Sequence, residues 1–362
     1  MDIGFSRGSP DIAGHASDQP MKVLVVDDSL VVRSVITHIL VKAEGFKVAS
    51  SVGSAADALD YLARNRVDIV LLDIEMPGRT GLEALPDILK AGRGAKVLVL
   101  SSLCEDGAPA VLRALSLGAC DTLAKPGRNS YSSDFSALLI TRLRLLHEAK
   151  SQLLRGPVVA KPIVPAKPAS SLECLAIGAS TGGIQALYKL LGRLDSRIDA
   201  PILVTQHLPA NFLNYFVEQL DAKIPRKVML ARDGAAIARN TVYVAPGNAH
   251  LTCRRIHEKE HIFLTSDWGP TPYCPSVDPM LASVAKTYGD AAAAVILSGM
   301  GQDGLIGSRY MADAGCAIYV QDPASSVVWG MPGVVAREGL ASAVLDPAAI
   351  ADVIVDYWLE TT

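Results

Sequence analysis

The chain has 362 residues, 50% of them hydrophobic, with 34 Lys and Arg against 37 Asp and Glu. That length is too great for one ordinary core, so two domains are expected, and the net charge of −3 gives no sign of a nucleic-acid partner. The six cysteines include no Cys-x-x-Cys pair, which argues against a zinc site and for buried thiols in a reducing cytosol.

Residues 1–20 contain no apolar core of a signal peptide and are expected to form a disordered extension. The longest apolar stretch near the C-terminus, 291–297, is far too short to span a bilayer, so a cytoplasmic protein without direct membrane insertion is expected. From residue 22, short apolar runs at 22–26, 47–50, 68–72, 96–100 and 121–124 alternate with helix-period segments. Val32, Val35, Ile36, Ile39 and Leu40 mark one helix face between the first two runs. Five strands so separated predict a doubly wound parallel α/β unit over 21–150, closed by a long helical segment at 135–154. Proline recurs through 156–171, which favours an extended spacer, so 151–171 is taken as the linker.

Beyond it, strands are expected at 174–178, 201–205, 227–230, 241–245, 293–297 and 317–320. Helices are expected at 184–191, 211–220 and 277–288. Segments 250–254 and 261–265 read as a β-hairpin insert. Residues 172–362 therefore form a second α/β domain with a mainly parallel sheet.

Function in open parallel sheets gathers at the carboxyl ends of the strands. In the first unit these ends carry Asp27 and Asp28, Asp73, Ser101, and Lys125. Carboxylates converging on one edge repel each other unless a divalent cation sits among them, and a hard ion such as Mg²⁺ suits an incoming phosphoryl group. The motifs VVDDS (25–29), LLDIEMPGRTGLEAL (71–85), SS (101–102) and AKPG (124–127) resemble the receiver domain of bacterial response regulators, a flavodoxin-like (βα)5 fold. The resemblance implies Asp73 as phosphoacceptor, Asp27, Asp28 and Asp73 as Mg²⁺ ligands, and Ser101 and Lys125 as the residues that report phosphorylation. Arg79-Thr80-Gly81 replaces the family's usual Met-Asp-Gly in a loop.

In the second unit, AIGASTGG (176–183) follows a strand and precedes a helix. It does not fit G-x-G-x-x-G, and no acidic residue ends the next strand as a dinucleotide site requires. It also lacks the Gly-Lys-Ser/Thr of a P-loop. It does satisfy G-x-S-x-G, a turn that exposes Ser180 beside the N–H groups of a helix start. The strand 201–205 leads to His207, and 293–297 leads to SGMGQDG (298–304) with Asp303, so serine, histidine and aspartate leave three strand ends of one sheet.

With TQHLPANF (205–212), VYVAPGNAHL (242–251), PSVDPML (275–281), ILSGMGQDG (296–304) and WGMPG (329–333), the chain resembles the chemotaxis receptor methylesterases of the CheB type. The resemblance implies phosphorylation-activated hydrolysis of glutamate γ-methyl esters on methyl-accepting chemoreceptors, often with deamidation of receptor glutamines, and a chemosensory histidine kinase as phosphodonor. By it Ser180 is the nucleophile, His207 the general base and Asp303 the orienting carboxylate. The N–H groups of Thr181 and Met300 are the oxyanion candidates, and no metal serves the ester hydrolysis. Thr271-Pro272-Tyr273-Cys274 stands where the family commonly has basic residues, and Cys274 is expected to be a plain loop residue. The alternatives are a non-catalytic, phosphorylation-dependent adaptor and a nucleotide-dependent oxidoreductase.

Overall fold

The computed structural model describes residues 19–101, 108–125, 133–154, 171–267, 269 and 271–359. The first unit runs β1 (Met21–Val26), α1 (Leu30–Lys42), β2 (Phe46–Val52), α2 (Ala55–Arg64), β3 (Ile69–Asp73), α3 (Gly81–Gly92), β4 (Lys96–Ser101), α4 (Ala108–Leu117), β5 (Asp121–Ala124) and α5 (Ser133–Leu154). Its sheet order is β2-β1-β3-β4-β5, and every pairing is parallel. Strand alternation divides the core: Val23 and Val25 pack with Ile36, Leu40, Leu139 and Leu143 on one face, and Leu24 and Val26 pack with Leu62, Leu85 and Ile88 on the other. Polar residues set the helix starts. Ser29 and Ser54 cap α1 and α2, and Thr80 with Glu83 forms a capping box on α3. The departure at 79–81 therefore builds a helix start.

The expected extension lies outside the described residues except for its last two. Helix α5 continues to Leu154, four residues into the expected linker, and 155–170 lie outside the described residues. Ser102 and Cys104 also fall outside.

The second unit begins with β6 (Cys174–Ala179), α6 (Gly183–Arg193), β7 (Ile202–Gln206), α7 (Ala210–Asp221), β8 (Lys227–Leu230), β9 (Thr241–Val244) and the hairpin β10 (His250–Ile256) and β11 (Lys259–Thr265). It continues through α8 (Val277–Tyr288), β12 (Ala292–Ile296), α9 (Leu305–Asp313), β13 (Ala317–Gln321), α10 (Met331–Arg337), β14 (Ala343–Leu345) and α11 (Pro347–Leu359). The seven-stranded order is β14-β13-β12-β6-β7-β9-β8, parallel throughout, while β10 and β11 form a separate two-stranded sheet whose β11 edge bridges Ala236. From β6 the chain winds outward through β7 in one direction and returns through β12 in the other. The crevice between β6 and β12 is thus the switch point of the sheet. Leu175, Ile177 and Val204 face α6, α7 and α11, and Ala176, Ala294 and Ile318 face α8, α9 and α10.

Four of the five described cysteines, Cys120, Cys174, Cys253 and Cys316, are buried thiols as expected, and Cys274 is exposed. Burial pushes Cys120 and Cys316 up to about 12, well away from thiolate chemistry at neutral pH. Among the described residues no helix is long and apolar enough to cross a membrane.

Candidate active site

Strand β6 is fully buried to its end at Ala179, and Ser180-Thr181-Gly182 turns the chain into α6. Gly182 closes this turn at a φ of 76°. A Cβ there would lie 2.4 Å from Cβ of Val327, so only glycine fits both the backbone and the space. The loop is fixed from below: Ser180 N–H donates to Ser298 O at 3.0 Å, Ser298 Oγ donates to Thr181 O at 2.7 Å, and Gln206 Nε2 donates to Ser180 O at 3.0 Å. Among the described residues no backbone hydrogen bond uses the Thr181 or Met300 N–H, and both residues line the cavity that holds Ser180.

His207 follows β7, and its Nε2 lies 2.7 Å from Asp303 Oδ2. The carboxylate is itself held at the start of α8. It accepts from Val277 N–H at 2.7 Å, Asp278 N–H at 3.2 Å, Gly304 N–H at 3.0 Å and the Ser276 hydroxyl at 2.7 Å. Burial alone would push the Asp303 carboxyl up. The His207 hydrogen bond and charge, with the Val277 and Ser276 donors, outweigh it and hold the group below its ordinary range. An ionised Asp303 on Nε2 selects the imidazole tautomer with hydrogen on Nε2 and leaves the Nδ1 lone pair free to take a proton. Ser180 Oγ forms no hydrogen bond with His207 in this arrangement, though both line one cavity of about 230 Å³.

At the first unit's own switch point, between β1 and β3, carboxylate oxygens of Asp27, Asp28 and Asp73 all lie within 4.8 Å of one another. Asp27 and Asp73 are buried, and Lys125 Nζ contacts both, at 2.9 and 2.6 Å. Burial pushes Asp73 up to about 6 against the opposing hydrogen bond from Lys125. Ser101 is buried at the end of β4, and its carbonyl accepts from Lys125 N–H. Two buried carboxylates and one exposed carboxylate, with one ammonium between them, suit a hard divalent cation.

Family models match both units: a response regulator receiver domain over residues 23–131 and a CheB methylesterase over 175–354. A protein-glutamate methylesterase/protein-glutamine glutaminase of Paramagnetospirillum magneticum is 39% identical over 94% of this chain and 97% of its own length. The chain belongs to the protein-glutamate methylesterase/protein-glutamine glutaminase family. A relative of the same description from Caulobacter vibrioides is 40% identical over 90% of this chain and 95% of its own. The crystal structure of the Thermotoga maritima CheB methylesterase catalytic domain is 34% identical with a TM-score of 0.50, covering 51% of this chain and 98% of that one. An enzyme of this family with a phosphorylation-controlled receiver stands in place of the adaptor and oxidoreductase alternatives.

The receiver lies against the methylesterase unit at the Ser180 turn itself. Asp121, at the start of β5, accepts from the Thr181 hydroxyl at 2.9 Å and is paired with Arg142 of α5. The Cys120 carbonyl accepts from Gly182 N–H at 3.0 Å. Leu115, Ala119 and Arg142 of the receiver line the same cavity as Ser180 and His207. Val327 and Val328 of the methylesterase join the receiver's Leu123, Phe135 and Leu139 in one apolar cluster.

Sequence reasoning missed Asp121, Arg142, Gln206, Ser276 and Tyr273 as parts of this site. Ser276 carried one usable signal: Pro275-Ser276-Val277-Asp278 before an apolar period reads as a helix start. The structure shows that start occupied by the side chain of Asp303.

Proposed function

We propose that this protein hydrolyses γ-methyl esters of glutamate side chains on methyl-accepting chemoreceptors in the cytoplasm, with Ser180, His207 and Asp303 as its catalytic residues. The observation that carries this reading is the His207–Asp303 hydrogen bond at 2.7 Å, with its carboxylate seated on the start of α8 and the G-x-S-x-G turn on the adjacent strand. Ser180 Oγ attacks the ester carbonyl while His207 Nδ1 takes its proton, and Asp303 stabilises the imidazolium that forms. Thr181 N–H and Met300 N–H receive the oxyanion. The tetrahedral intermediate expels methanol, which leaves with the proton from His207. Water, deprotonated by His207, then attacks the glutamyl ester of Ser180 and releases the glutamate carboxylate and free serine. A receptor glutamine enters by the same route and releases ammonia.

The receiver is the switch. Asp73 is the phosphoacceptor, and a chemosensory histidine kinase is the donor. Asp27, Asp28 and Asp73 would hold Mg²⁺, which offsets the charge between the carboxylates and the incoming phosphoryl group. Lys125, now on Asp27 and Asp73, and Ser101 respond to the phosphoryl oxygens. Lys125 directly follows β5, whose first residue Asp121 grips Thr181, so rearrangement around Asp73 acts on the strand that holds the nucleophile turn. Undocking frees both the turn and the cavity mouth.

The test is release of methanol from methylated receptors. Ser180→Ala is expected to abolish it while phosphorylation at Asp73 proceeds. A Ser180→Ala protein with full esterase activity contradicts the assignment.

A further inference from the structure

His207 has a neighbour that proton transfer from Ser180 to His207 does not use. The ring of Tyr273 stacks on the imidazole with centroids 4.8 Å apart and planes 9° from parallel. Tyr273 comes from the segment between the hairpin and α8, and its N–H is tied to Thr271 Oγ1 at 3.3 Å. At the far end of the ring, a Cβ on Gly301 would lie 2.3 Å from the tyrosine hydroxyl. The missing side chain at Gly301, in the loop that carries Asp303, is therefore what admits the ring. Tyr273 also lines the cavity shared by Ser180 and His207. Its hydroxyl is held above the ordinary tyrosine range by burial and by the Asp303 charge, and stays neutral at physiological pH.

This contact bears on two weaknesses of the site. A single hydrogen bond from Nε2 leaves an imidazole free to rotate about the direction of that bond, which would swing Nδ1 away from the nucleophile. A near-parallel ring with its centroid 4.8 Å away on one face opposes that rotation. The imidazole also becomes positive as it takes the serine proton, and the face of an aromatic ring attracts a cation. We propose that Tyr273 is a positioning residue for His207, fixing the imidazole plane and supporting its charged form. The proposal rests on the roles given above to Ser180 and His207.

The experiment uses the full chain with a small-molecule phosphodonor and Mg²⁺, and follows methanol release from methylated receptor membranes for Tyr273→Phe, Tyr273→His, Tyr273→Leu and Ser180→Ala. Phe and His keep a stackable ring and are expected to stay within about twofold of wild-type kcat. Leu is expected to lose about five- to tenfold in kcat with KM unchanged, the size of one ring-to-cation contact at a half-buried site, between the exposed and the desolvated cases. The His207 ring protons are expected to show an upfield ring-current shift in the wild type and Tyr273→Phe that is absent in Tyr273→Leu. Wild-type kcat in Tyr273→Leu overturns the proposal, as does a loss confined to KM, which would make Tyr273 a wall for substrate. Loss in Tyr273→Phe as deep as in Tyr273→Leu overturns it in favour of the hydroxyl. Should Tyr273→Leu fail to fold, an impaired Tyr273→His overturns it and an active one supports it. Activity retained in Ser180→Ala refutes instead the reading of the site on which the proposal rests.

Discussion

Thr181→Val separates the two jobs proposed for the Ser180 turn. The substitution is nearly isosteric and removes one hydroxyl, the donor to Asp121 Oδ2 at 2.9 Å. It leaves the Thr181 N–H in place for the oxyanion. It also orphans nothing in the receiver, because Asp121 keeps Arg142 and the Thr122 N–H. A hydrogen bond to an ionised acceptor contributes about 1.5–3 kcal/mol, and with Arg142 sharing the same oxygen the lower end applies. At ~1.4 kcal/mol per factor of ten, the docked form loses roughly tenfold of its advantage. While the docked form dominates, the competent population and the basal rate of methanol release rise by that same factor. With saturating phosphodonor and Mg²⁺ the receiver is already released, and the rate should match wild type. Activation by phosphorylation therefore shrinks about tenfold from the basal side.

The same contact can be removed from the receiver. In Asp121→Ala the accepting carboxylate is gone, together with its Arg142 pair, and the basal rate should rise at least as much. Combining both substitutions should add little, because the bond can be lost only once; the cycle should show a coupling of about 1 kcal/mol or more. An unchanged basal rate in Thr181→Val refutes the latch. So does an equal rise with and without phosphodonor, since that would place the effect on chemistry.

Asp303→Asn loses the ionised partner of His207, so turnover should fall by about 10²–10⁴ while Asp73 phosphorylation, followed with a labelled phosphodonor, stays at its wild-type rate. Lys125→Met should leave the basal rate in place and lower the gain on phosphorylation, because the ammonium joining Asp27 and Asp73 to the end of β5 is gone; full activation in this variant, measured by methanol release, counts against that route. Asp278 is pushed up to about 6 by burial, opposed by the Gly307 N–H and reinforced by Asp303, so its ionisation costs stability that is absent below about pH 4 and complete above about pH 6. Asp278→Asn keeps an acceptor for Gly307 and should raise the unfolding midpoint at pH 8, with the gain vanishing near pH 4. Tryptophan fluorescence reads this in the methylesterase unit alone, since Trp268, Trp329 and Trp358 all lie there.

Much of this architecture was legible because the signals are local. Parallel strands buried on both faces leave continuous apolar runs, and the strand-end position of Asp27, Asp73, Ser180, His207 and Asp303 follows from where each run stops. Errors at strand ends amount to one or two residues: β6 runs one residue past its apolar run and β2 two, whereas β12 starts and stops one residue early. The short β14 and the helices α9 and α10 escaped because three strand residues on a sheet edge and helices of nine and seven residues carry little periodicity, while α11 escaped although Pro347, Ile350, Ala351, Ile354 and Trp358 repeat at helical spacing.

What the sequence hid is what converts side chains at strand ends into a regulated site. The bond between Asp121 and Thr181 spans 60 positions, and the one between Ser276 and Asp303 spans 27. Asp121 does not differ in its local sequence from an ordinary surface carboxylate, and the glycine-rich run that marks Asp303 does not name the donors that seat it. Each acquires its role from the tertiary fold, Asp303 from the free N–H groups of α8 and Asp121 from a threonine hydroxyl in the other unit. Turn glycines could announce Ser180 because a sharp turn constrains nearby residues directly. A partner for that turn constrains only distance in space, so the receiver's grip on Thr181 becomes visible when the two sheets are in place.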